Sequence, residues 1–244
     1  MTNRLLYLLL SLLLAITACK DSEPDDNTPS TSLNKIMPLG ASRVEGARPG
    51  YESFRYELWK LLVDGAWDFD YIGTMDDPAE YPSYANMDFD DDHEGRGGWT
   101  SGEILGGIDE WLAEAGAPDI VLFSSPGGND ALTGLPYEDA IANINAIIDI
   151  IQTANPNVSI IIEQLAPARS DAMTPELTTF FTQMNQDVLT IASQQTTATS
   201  SVTTVDMATG FDDSFYADDV HYNEAGATVV ANRYYEILVD ILKQ

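Results

Sequence analysis

The chain is short of several things, and each shortage narrows what it can do. Of its 244 residues one is cysteine, Cys19, which rules out an internal disulfide and a paired-thiolate site. There are two histidines, His93 and His221, so any chemistry that needs an imidazole base has two candidates. Lys and Arg total 11 against 39 Asp and Glu, a formal net charge of -28. A surface so poor in basic residues offers no patch for nucleic acid or for an anionic lipid surface, and neither is expected as a partner. It reads instead as a solvated acidic coat that keeps an exported protein soluble. Recognised metal-ligand spacing is also missing. Asp88, Asp90, Asp92 and Glu94 alternate like a calcium loop, but His93 stands where such a loop needs glycine. No metal and no cofactor are therefore expected. Hydrophobic residues are not scarce: at 44% they are enough for a substantial core.

The longest apolar run, Leu5 to about Ile16, is too short to span a membrane comfortably and follows Arg4, as in a signal peptide. It closes on Leu14-Ala15-Ile16-Thr17-Ala18-Cys19, which resembles the lipobox of bacterial lipoproteins, whose cysteine becomes the lipidated first residue. Lys20 follows, where aspartate would be the usual inner-membrane retention signal, so the resemblance implies an outer-membrane lipoprotein, possible exposure at the cell surface included. Residues 1–19 are thus expected to be a leader and 20–33 a flexible tether rich in Asp, Pro, Ser and Thr. Residues 34–244 fit one α/β domain, with no internal repeat and no second domain.

Within that domain, apolar runs alternate with helical periodicity. Strands are expected at the stretch before Gly40, at Phe69–Thr74, Asp119–Ser124, Val158–Leu165 and Val202–Met207. Helices are expected over Tyr51–Val63, Thr100–Ala115, Tyr137–Ala154 and Pro175–Ser193. A last one, capped by Asn223, should turn Val230, Tyr234, Ile237 and Ile241 inward. Met75–Gly98 loses all pattern and reads as a long surface loop. Strands alternating with helices predict a parallel sheet of five strands covered on both faces, a three-layer α/β/α sandwich of flavodoxin-like layout.

In an open parallel sheet, ligands bind beyond the carboxyl ends of the strands. Ser42 stands there, just past Gly40. A serine hydroxyl is a weak nucleophile until a base and an orienting acid reach it, and Asp218-Asp219-Val220-His221 supplies both at three-residue spacing. The elbow of α/β-hydrolases is excluded, because Gly40-Ala41-Ser42-Arg43-Val44 has no glycine two residues after the serine.

Several blocks resemble the SGNH (GDSL-like) hydrolases, in particular their acetylxylan-esterase-like branch, carbohydrate esterase family 3. These are Met37-Pro38-Leu39-Gly40-Ala41-Ser42, Arg55-Tyr56-Glu57-Leu58-Trp59, Asp92–Thr100, Pro118-Asp119-Ile120-Val121, Gly127-Gly128-Asn129-Asp130 and Asp218–His221. No single block is specific, but they run in the family's order from Asn34 to the C-terminus. The resemblance implies a Ser42–His221–Asp218 triad. It also implies an oxyanion hole made by the Ser42 and Gly98 N–H groups and the Asn129 amide. The implied activity is esterase action on a small acyl ester or an acetylated glycan, with acetyl removal from polysaccharide outside the cell. A lipase or lysophospholipase of the same family, or a catalytically weak glycan-binding lipoprotein, are the alternatives. Trp99 and His93, flanking the glycine block, are expected as pocket walls. The chain departs from the family at Ala41, where aspartate is usual, at Gly128, where threonine is common, and at Tyr222, where proline is common. Nothing in the sequence sets an oligomeric state.

Overall fold

The computed structural model describes residues 30–244; Cys19, the leader and most of the tether lie outside them. The sheet has six strands, all parallel: β1 Lys35–Gly40, β2 Asp70–Tyr71, β3 Glu94–Gly95, β4 Ile120–Phe123, β5 Ser159–Gln164 and β6 Ser201–Asp206. Its order is β2-β1-β4-β5-β6. β3 shares the edge with β2: Ile36 pairs with Tyr71 near the start of β1, and Leu39 with Glu94 near its end. The expected five strands thus become six, because the second one is cut short. Gly73 lies so close to the His93 backbone that a Cβ there would sit 2.1 Å from the His93 carbonyl oxygen. The chain leaves the sheet at that crossing, makes its loop, and returns as β3.

Helices cover both faces. On one side α3 Ser101–Ala115, α5 Tyr137–Ala154 and α6 Pro175–Gln195 pack Ile108, Ile148 and Val188 onto Met37, Leu39, Val121 and Phe123. On the other, α2 Arg55–Asp64 and α7 Glu224–Leu238 pack Leu58, Leu62, Val230 and Tyr234 onto Ile36, Leu122 and Ile161. Although buried on both faces, these strands keep the period of two, sending alternate residues into opposite layers. Among the described residues no helix is long and apolar enough to cross a membrane.

Helix ends follow side-chain chemistry. Thr100 and Glu103 make a reciprocal capping box at α3, and the Asn223 side chain accepts the Gly226 N–H at the start of α7. α2 starts four residues later than its periodicity suggests, because Tyr51 and Glu52 are taken up in bridges to Ala47 and Tyr222. At the far end of α7 it is Leu238 that is fully buried, while Ile237 and Ile241 are only partly covered, the helix having ended at Leu238.

Two short helices appear without a periodic signal: α1 Ser42–Glu45 directly after β1, and α4 Gly128–Thr133 after β4. Because β2 and β4 flank β1 on opposite sides, the connections diverge there. That makes the carboxyl ends of β1 and β4 the switch point of the sheet. Both short helices sit on it.

Candidate active site

Gly40 ends β1 against β4, where a Cβ would be 2.9 Å from both the Ser124 carbonyl oxygen and a Val44 methyl. The chain then turns abruptly into α1, and Ser42 is its first residue. Its Oγ lies 2.9 Å from His221 Nε2, across 179 positions of sequence. The other ring nitrogen, Nδ1, is 2.7 Å from Asp218 Oδ2. Asp218 Oδ1 accepts the N–H groups of Val220 and His221 at 2.9 and 2.8 Å, so one carboxylate shapes the turn and holds the ring. Burial works against charge on Asp218, but the His221 and Val220 N–H groups and the imidazole outweigh it and keep the carboxyl below its ordinary range.

The ring of Tyr51 lies flat on His221, centroids 3.9 Å apart and planes 13° from parallel. Its backbone is fixed by exchange of hydrogen bonds with Ala47, and the next residue, Glu52, donates its N–H to the Tyr222 carbonyl at 2.9 Å. The loop carrying Tyr51 is thereby pinned to the loop carrying the histidine. Stacked on one face and bonded at both nitrogens, the imidazole is held in a single plane aimed at Ser42.

Of the three expected oxyanion donors, Ser42 and Asn129 line one cavity. Ser42 N–H is at the unsatisfied start of α1. Gly98 has φ +80 and open space around its Cα, and its N–H enters no backbone–backbone hydrogen bond among the described residues. Asn129, the second residue of α4, donates Nδ2 to the Trp99 carbonyl at 2.8 Å. One further contact ties these loops together. The buried Asp130 carboxylate accepts both the N–H and the hydroxyl of Ser101, at 2.8 and 2.6 Å. The segment after Gly98 and the Asn129 helix are therefore joined by three hydrogen bonds.

A cavity of ≈ 40 Å³ opens beside Ser42, lined among others by Asn129, Leu132, Leu165, Phe181 and Val220. Trp99 and His93, expected as its walls, do not line it. Trp99 packs its ring against Trp111, 5.5 Å away. His93 is 1% exposed, and its Nδ1 accepts the Gly95 N–H at 2.9 Å. Burial foremost, then the positive charges of Arg55 and Arg96, push the His93 imidazole down to about 2. It is a neutral structural group. The alternating acids nearby are also engaged in folding: Asp90 accepts the Tyr71 N–H, and Glu94 accepts the Thr74 N–H and pairs with Arg96. Among the described residues no group of three or more His, Cys, Asp or Glu is placed to hold a metal ion.

A serine hydroxyl joined through imidazole to a carboxylate at the switch point of a parallel α/β sheet has the geometry of a serine-hydrolase type of site. Residues 62–229 match the GDSL-like Lipase/Acylhydrolase family, and the chain belongs to it. That match takes in Gly98, Asn129, Asp218 and His221 and begins after Ser42. Solved structures extend over nearly all of the described chain. A family 3 carbohydrate esterase from Clostridium thermocellum is 32% identical, with 85% of this chain and 96% of that one covered and a TM-score of 0.69. One from Talaromyces cellulolyticus is 26% identical, covering 85% and 97% at a TM-score of 0.73. An acetyl esterase mutant with an acetate ion, also 26% identical, covers 85% and 97% at 0.74. No curated protein matches the chain. The protein is thus an SGNH-type esterase whose structural neighbours include carbohydrate esterases of family 3.

Proposed function

We propose that this esterase removes acetyl groups from polysaccharide hydroxyls through an acyl-enzyme on Ser42. The observation that carries the reading is the unbroken relay of 2.9 and 2.7 Å from Ser42 through His221 to Asp218. Ser42 Oγ attacks the ester carbon while His221 Nε2 takes its proton. The developing oxyanion is met by the Ser42 and Gly98 N–H groups and the Asn129 amide. As the intermediate collapses, the sugar oxygen leaves with the proton held by His221. Water then attacks the acetyl-serine, giving its proton to His221, which returns it to Ser42 as acetate departs. Asp218 stays ionised and holds the ring throughout.

Acetyl specificity is supported by the size of the cavity and by the family 3 neighbours. A water needs roughly 10–15 Å³ of such space, so ≈ 40 Å³ takes only a group of a few heavy atoms. In an open apolar channel each added methylene would gain about 0.8 kcal/mol, and longer chains would be preferred. Here p-nitrophenyl acetate should be the best of an ester series, with kcat/KM falling steeply from butyrate to octanoate, and acetate should be released from acetylated xylan. A maximum at octanoate or beyond, with no acetate from any glycan, would make the protein a lipase or lysophospholipase instead.

The same reading places the enzyme at the bacterial outer membrane on a lipid carried by Cys19, its only membrane contact, where polymeric substrate is met outside the cell. It is supported by the sequence before Cys19. Cys19→Ser should abolish incorporation of labelled fatty acid and release the protein in soluble form; wild-type protein found unlipidated in its host would remove the anchor.

A further inference from the structure

We propose that Arg43, the residue after the nucleophile, is a positioning residue that fixes the distance between Ser42 and His221; the inference rests on the serine-hydrolase reading of the site. Its guanidinium is almost wholly buried yet donates to three separate segments. Nε reaches the carbonyl of Val220, next to His221, at 2.9 Å. Nη1 reaches the Ala166 carbonyl at 3.0 Å and Ser125 Oγ at 3.2 Å, and Nη2 the Pro167 carbonyl at 3.0 Å. The plane of the group also rests 4.8 Å over the ring of Tyr222, on the other side of His221 in the chain. One side chain therefore joins the nucleophile turn, the ends of β4 and β5, and both neighbours of the base.

The turn needs such an anchor. α1 has four residues, is preceded by Ala41, which offers no side-chain cap, and is followed by Gly46 at φ +75. A single turn of helix does not hold itself together in water. Val44 is buried beneath it, and a second buried arginine, Arg55, holds its far end by donating to the Val44 and Glu45 carbonyls at 2.8 and 2.9 Å. Arg55's remaining bonds go to Asp77 and the Asp91 carbonyl, in the long loop before β3. Of the two clamps, it is Arg43 that reaches the histidine loop.

The buried charge has a counterpart. Ser125, held at φ +47, donates its N–H to the fully buried Glu163 at 2.7 Å and its hydroxyl at 3.3 Å, and Tyr234 donates to the other oxygen at 2.7 Å. Arg43, Ser125 and Glu163 thus form a connected polar core directly under the site. A planar fork with five N–H donors can serve three segments at once, which an ammonium on a flexible stem cannot.

Misplacing a reacting group by about 1 Å can cost on the order of 100-fold in rate. In Arg43→Lys, kcat on p-nitrophenyl acetate should fall about 10- to 100-fold with KM within about twofold, and labelling of Ser42 by a fluorophosphonate should slow by the same factor. Rates are taken per folded molecule, with folding followed by circular dichroism and Tm. Ser125→Ala, which removes one of the four contacts, should lower both rates by a smaller factor and serves as the deciding variant where Arg43→Lys does not fold. A folded Arg43→Lys that labels and turns over within twofold of wild type overturns the proposal. So does a loss confined to KM, or a Ser125→Ala with unaltered rates when it is the deciding variant. A wild-type protein that is labelled at Ser42 but does not hydrolyse acetate esters would refute the acetyl reading and leave Arg43 to be judged on labelling.

Discussion

Replacing Ser42 with alanine should lower ester hydrolysis by at least about three orders of magnitude and leave the fold in place. The size follows from what remains. Without the hydroxyl no acyl-enzyme can form, and His221 can at best activate a water in the same space. In the proposed mechanism the Gly98 and Asn129 donors are untouched, so a residual rate above that in water should persist, since an oxyanion hole can act without the triad. The fold is spared because the Ser42 side chain makes one hydrogen bond, to His221, while its backbone makes the α1 bonds that any residue can make. Intact protein digested after fluorophosphonate treatment should carry the label on Ser42 alone. Label on another serine, together with an active Ser42→Ala protein, would sink the nucleophile assignment.

How much of this was legible in the sequence depended on whether the signal was local. Central strands were, because a strand buried on both faces must be largely apolar: Ile120–Phe123, and Ser159–Gln164 with its three consecutive isoleucines, stand where the apolar runs do. α5 covers the expected Tyr137–Ala154, since its stripe of isoleucines from Ile141 to Ile151 repeats over about three turns. The split edge, β2 and β3, was not legible. Each has two residues, too few to show any period, and their place is set by a close approach of Gly73 to His93 across the loop. α4 was hidden for a different reason. It is six residues long and bounded by left-handed glycines, Gly127 and Gly134, in a stretch that reads as pure turn.

The site divides in the same way. Ser42, His221 and Asp218 could be named because the chain has only two histidines, one with an acid three residues before it, and because Ser42 follows the first strand; the structure brings their side chains into contact. What holds them could not. Arg43 acts through backbone carbonyls at 166, 167 and 220, and a carbonyl leaves no trace in the sequence of the residue that bears it. Helical periodicity places Tyr51 at the start of a helix, whereas its stacking on His221 follows from the Glu52–Tyr222 bridge. The cavity walls were missed because Leu132, Leu165 and Phe181 look like ordinary core residues until their loops converge. Ala41 and Tyr222, the departures from the family pattern, find a physical setting here. The turn without a capping side chain at Ala41 is held from outside by two arginines, and Tyr222 underlies one of them while its carbonyl anchors the Tyr51 loop.

The two histidines should part completely when each is replaced by alanine. His221→Ala should lose about as much activity as Ser42→Ala, on the order of a thousandfold, because a nucleophile without its base is an ordinary alcohol. Asp218→Ala should lose less: its side chain is 50% exposed, so water can replace part of its contact with Nδ1, and Tyr51 still holds the ring plane. His93→Ala should keep its turnover per folded molecule and lose stability, since it removes a buried ring that accepts the Gly95 N–H. The pH dependence of stability marks His93 further. Its imidazole stays neutral in the fold down to about 2. The unfolded chain binds a proton at the ordinary histidine value and the folded chain does not, so stability should drop as pH falls below about 6.5. In His93→Ala that part of the acid sensitivity should vanish, which thermal unfolding followed across pH would show. A His93→Ala protein that is folded but inactive, beside an active His221→Ala, would overturn the triad.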